Sequence, residues 1–134
     1  MVIDPKNALT YSTLIAPKSQ TNNTGAGGLD LVGGNYKGKV AVVVNVGVKS
    51  TGDNDGAITV RVTTSATNNI SNAVNYGTST VATTNNTAAQ GVISVDTRDA
   101  LRYVFAVPAI TGTNSPAYPL SAIAIGTQEV QPAQ

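Results

Sequence analysis

The 134-residue sequence predicts an all-β protein: a β-sandwich, jelly-roll-like, of about eight short antiparallel strands with an extended N-terminal arm. Three observations predict it. The chain is rich in Thr, Val and Gly, and turn residues separate its short apolar runs. Its longest apolar runs alternate with the two-residue period of a strand. No stretch keeps the 3.6-residue period of an amphipathic helix; in "TRDALRYVF" Thr97 could cap one, but β-branched and aromatic residues follow at once.

Taken in order, residues 1–28 read as an N-terminal arm and a glycine-rich loop. "MVIDPKNALTYSTLI" is broken by proline, "KSQTNNTGAGG" is turn-rich, and Leu9–Ile15 is a weaker strand candidate. The sandwich domain then spans 29–127. Leu29–Val32 is a short strand, and from Lys39 "KVAVVVNVGV" puts Val40, Val42, Val44, Val46 and Val48 on one face. In "AITVRV", Ile58, Val60 and Val62 face inward against Thr59, Arg61 and Thr63. The intervening "KSTGDNDG" ends in Asp-Gly and predicts a hairpin between these two strands. The Thr/Asn-rich stretch after Val62, nearly free of charge, reads as a long loop or a pair of polar edge strands, with Ser79–Thr84 and Gly91–Val95 as candidates. "ALRYVFAV" predicts a central strand with Leu101, Tyr103, Phe105 and Val107 inward. "TGTNSPAYP" then turns the chain into "LSAIAIG" as a second hairpin, and 128–134 read as a flexible tail.

Composition removes several kinds of chemistry. There is no cysteine for a disulfide or thiolate site, and no histidine to serve as a general base or imidazole ligand. Eight basic against seven acidic residues give a net charge of +1, with no basic patch for nucleic acid. No apolar run is long enough for a membrane helix, and no secretory leader is evident, so synthesis in a cytoplasm is expected.

Three constellations resemble sites. "GGNYKGK" (Gly33 to Lys39) matches most of a phosphate-binding P-loop, but Val40 replaces the Ser/Thr and a strand pattern follows where a helix is required. In "TGDNDG", Asp53 and Asp55 fall at positions of a calcium loop, yet Val62 occupies the place of its bidentate Glu; a polar hairpin tip explains them, with weak calcium binding as the alternative. "DTRDALR" holds Asp96 and Asp99, each with Arg98 or Arg102 in reach, which suits structural ion pairs better than proton donation. No catalytic, cofactor-binding or metal-binding residue is therefore assigned, and the expectation is a protein that is not an enzyme.

Leu29-Asp30-Leu31, the turn at Gly38, Arg102-Tyr103-Val104 and Thr111-Gly112 follow the layout of a known group. Over roughly residues 28–127 the chain resembles the capsid cement, or decoration, proteins of tailed bacteriophages. That resemblance implies a virion protein on the outer surface of an icosahedral head, bridging neighbouring major capsid proteins as a dimer or trimer, without cofactor, nucleic acid or membrane. It also implies that residues 1–24 reach onto a neighbour and can be deleted without unfolding the core. Arg61 with Thr59 and Thr63, or Arg98 with Arg102, would meet the capsid. The alternative is a head-fibre or tail module that binds a host glycan or receptor, which calls for Tyr36, Tyr76 and the 63–90 segment to line one groove.

Overall fold

A computed structural model of the chain describes residues 9–21, 27–50, 52, 55–84 and 87–128. Eight strands run in chain order: β1 (Leu9–Gln20), β2 (Leu29–Asp30), β3 (Tyr36–Val46), β4 (Ala57–Ser65), β5 (Val74–Thr84), β6 (Ala89–Asp96), β7 (Tyr103–Thr111) and β8 (Tyr118–Gln128). They form two four-stranded sheets, a front sheet ordered β1-β8-β3-β6 and a back sheet ordered β2-β7-β4-β5. Every strand pair is antiparallel. Such an interleaved order, with the chain passing from sheet to sheet at most turns, is a jelly roll.

The core follows from the alternation of β3 and β4. Val40, Val42, Val44 and Val46 on one sheet and Ile58, Val60 and Val62 on the other are all buried, and β8 adds Leu120, Ala122 and Ala124. β-Branched side chains at alternate positions cover a pleated surface well and lose little rotamer freedom there. The sheets close along the β5–β6 side, where Val81 enters the core so close to Gly91 that a Cβ on that glycine would lie 2.7 Å from the valine methyl.

The structure differs from the expected layout in four places, the smallest being that β3 ends at Val46 and leaves Val48 exposed rather than inward. Leu9–Gln20 is not part of an arm outside the sandwich. It is the edge strand of the front sheet, paired along β8 from Leu9 opposite Thr127 to Gln20 opposite Tyr118. Register shifts around Ile15 let the consecutive Leu14 and Ile15 both turn inward, and so hide the alternation that would have announced the strand. Residues 1–8 and 129–134 lie outside the described residues.

The two expected hairpins are also crossovers. β3 lies in the front sheet and β4 in the back, and β7 and β8 are divided in the same way. The connections over 47–56 and 112–117 are far longer than a two-residue hairpin needs, and long enough to pass between layers about 10 Å apart. Among consecutive strands, β4 and β5 do form a neighbouring pair, and β5 is the polar edge strand allowed for the Thr/Asn-rich stretch.

Finally, β7 presents the opposite face from the one expected. Val104 and Ala106 enter the core, so Phe105 points to the outer side of the back sheet, while Leu101 is exposed. Phe105 is still buried, because Gly28 passes directly over it; a Cβ there would lie 2.7 Å from the ring. The chain returning from β1 provides this cover, which no local pattern around Phe105 reveals.

Candidate functional site

The turns β2–β3, β4–β5 and β6–β7 and the outer ends of β1 and β8 gather at one end of the sandwich. Lys37, Lys39, Arg98, Arg102, Asp30, Asp96 and Asp99 all belong to this end. Two of the three constellations flagged in the sequence, the glycine turn and "DTRDALR", are thereby brought side by side.

Asp30 organises the first half. Its Oδ1 accepts hydrogen bonds from the amides of Val32 at 3.1 Å and Gly33 at 2.9 Å, closing the turn. Arg102 then donates to both carboxylate oxygens, Nε to Oδ1 at 3.0 Å and Nη2 to Oδ2 at 2.9 Å. With Leu29 opposite Val104 and Asp30 opposite Tyr103, the two motifs form one clasp between neighbouring strands. The Arg102 guanidinium also lies 5.2 Å from the centre of the Tyr103 ring, within cation–π range. Hydrogen bonding to Arg102, and then to the Gly33 amide, holds the Asp30 carboxyl down at about 2.

This geometry explains the near-match to a P-loop. Of the amides that would cradle a phosphate, that of Gly33 donates to the Asp30 carboxylate and those of Gly34, Asn35 and Tyr36 donate to the carbonyls of Asp30, Val32 and Leu31, and the chain continues into β3 rather than a helix. Gly34 is required for a different reason. A Cβ there would lie 2.5 Å from the Tyr36 ring, and one on Gly126 would lie 2.8 Å from its other edge. Gly38 turns the chain with φ 72°, a region in which L side chains are strained.

Asp96 organises the second half. Arg98 donates to it three times: the backbone N and Nε to Oδ1, and Nη2 to Oδ2 at 2.9 Å. The Asp96 amide donates to the Tyr76 hydroxyl at 2.9 Å, tying β6 to β5 across the closed side of the sandwich. Thr97 donates its amide and its hydroxyl to the Gly38 carbonyl, each at 2.9 Å, which joins the β6–β7 turn to the start of β3. The Asp96 carboxyl, like that of Asp30, is lowered to about 2, chiefly by Arg98. Carboxylates held so firmly ionised are poor proton donors near neutral pH.

Between these halves runs a groove of about 450 Å³, lined by Leu31, Val32, Asn35, Tyr36, Lys37, Gly38, Thr97 and Arg98. Val32 is exposed in this lining, which also holds Lys37 and Arg98. The groove combines apolar surface with two basic side chains, of which Arg98 is already paired with Asp96.

Tyr36 and Tyr76 do not form the exposed cluster expected for the glycan-binding alternative. Tyr36 is buried in the core, where burial raises its hydroxyl's pKa, and the Tyr76 hydroxyl is engaged by Asp96. At the opposite end of the molecule, Asp55 accepts from the amide and hydroxyl of Thr113, which lowers its pKa. Asp53 lies outside the described residues. Among the described residues no cluster of three or more metal-ligating side chains occurs.

No family model and no curated protein matches the chain. Among solved structures, the Eiger TNF of S. frugiperda is similar over 96% of this chain and 91% of that one, at 9% identity and a TM-score of 0.44.

Proposed function

We propose that the protein is a structural virion component that decorates an icosahedral phage head and bridges neighbouring major capsid proteins. One observation carries this reading. The two motifs on which the resemblance stands, Leu29-Asp30-Leu31 and Arg102-Tyr103-Val104, lie 72 residues apart between Asp30 and Arg102, yet pair in register and are locked by a bidentate ion pair. That the two motifs meet supports reading them together.

The groove beside that clasp is the surface we assign to the capsid. Arg98 projects there with its side chain largely exposed, whereas Arg61 stands half-buried on the outer face of the back sheet. A shell protein presenting an acidic, extended segment would meet Lys37 and Arg98 around the exposed Val32. Many copies on one shell would turn modest contacts into firm attachment.

The test is co-sedimentation with undecorated heads built from the major capsid protein of the same virus. The wild-type protein should saturate the heads at a fixed stoichiometry. Lys37→Glu combined with Val32→Asp should weaken binding at least tenfold while the thermal midpoint stays within a few degrees. A wild-type protein that stays in the supernatant at every concentration refutes the reading.

A further inference from the structure

The front sheet has one face in the core and one turned outward, and the centre of the outward face is uncharged and mostly apolar. Cross-strand register arranges it in rows: Tyr11, Ile125, Ala41 and Ser94 form one, and Thr13, Ile123, Val43 and Val92 the next. Neither row contains a charge. Tyr11 is 76% exposed and Val92 62% exposed, at opposite edges of the sheet. Polar groups border the rows, Lys39 and Asp96 on one side and Asn45, Ser121 and Gln90 on the other. Among the described residues no helix or strand lies over this face. An apolar centre inside a polar rim is the anatomy of a protein interface.

We infer that this face is where copies of the chain meet. The charge pattern argues for a second copy as the occupant. A face without charge in its central rows meets no repulsion from itself, and nothing on it would steer a charged foreign partner into register. Its shape argues the same way. β8 carries the bulky Ile123 and Ile125, while its neighbour β3 carries the smaller Val43 and Ala41. A twofold axis along the strands lays each isoleucine pair on the other copy's smaller pair, and brings each Tyr11 over the opposite edge, near Val92.

The area suffices. Four strands at a spacing of about 4.8 Å, and about 26 Å of strand along β6, give about 500 Å² per copy and about 1,000 Å² for the pair. That flat estimate already reaches the roughly 1,000 Å² expected of a biological interface, before the relief of the side chains is added. The inference does not depend on what the protein decorates.

The experiment is light scattering after size exclusion on the purified full chain, without capsids, from low to high micromolar concentration. The expected result is a discrete oligomer. The double variant Tyr11→Lys/Val92→Lys alters the two most exposed members of the face, and Val43→Glu charges its centre. Both should give monomers with unchanged circular dichroism, shifting the dissociation constant at least a hundredfold. A wild-type monomer across the whole range, or an oligomer indifferent to both variants, overturns the inference. So does a wild-type monomer that associates only after residues 1–8 are removed, because the chain's own end would then be the cover. Capsid binding is read separately, so loss of one result leaves the other standing.

Discussion

A carboxylate that accepts from two backbone amides and from both donors of a guanidinium, as Asp30 does, is stabilised as an anion several times over. Its pKa falls from the ordinary 3.8 to about 2 on folding. The stability linked to that shift is therefore fully present above about pH 4 and is lost as the pH falls towards 2. Asp96 behaves in the same way. Asp30→Asn should lower the thermal midpoint at pH 7, and the gap from the wild type should narrow steadily between pH 4 and pH 2. A gap of constant size across that range would show that the carboxylate charge is not what holds the turn. At this scale the sequence was half legible. Asp96 and Arg98, two residues apart, announced their pairing, but nothing local linked Asp30 to Arg102. The glycines of the turn were visible as glycines, but the rings and carboxylate that demand them were not.

Among the elements, β1 shows what period-two reading can and cannot reach. Strands with one clean face, β3 and β4, were evident from their valines and isoleucines. β1 was obscured because a bulge turns Leu14 and Ile15 inward together. β7 was placed on the wrong face because its one phenylalanine is buried by a distant loop rather than by the core. β5, exposed along most of its length, has almost no pattern beyond Val81 to read. The two supposed hairpins failed for a related reason, since turn chemistry reports that a chain turns and not which sheet it enters next. The corrected role of β1 has a direct consequence. Leu14→Ala should cost about 2–5 kcal/mol in denaturant unfolding, as for other buried leucines. Deleting residues 1–24 should abolish cooperative unfolding, whereas deleting 1–8 should leave it intact. A folded 25–134 fragment would return β1 to the status of a dispensable arm.

For the whole molecule, the ion pairs among the described residues share one location. The ion pairs and the groove occupy the end where three turns meet, and the two central rows of the front sheet's outer face are uncharged and mostly apolar. A body built this way can meet one kind of surface with its end and its own copies with its side, so that neither contact obstructs the other. The all-β class and the number of strands were legible from composition and alternation. The arrangement of strands in two sheets was not, because it is fixed by pairings between the two ends of the chain.

The most distant of those pairings sets Leu9 beside Thr127, so the first and last strands lie side by side. Topologically the described strands close into a ring at the β1–β8 pair. A short glycine-serine bridge from β8 to β1, with a new opening in the exposed loop at Gly112–Ser115, would give a circular permutant in which β8 and β1 become sequence neighbours. The slowest loop to close would then be a local one, and the permutant should refold faster than the parent in stopped-flow measurements at similar equilibrium stability. Equal refolding rates would mean that joining the first and last strands is not the step that limits folding.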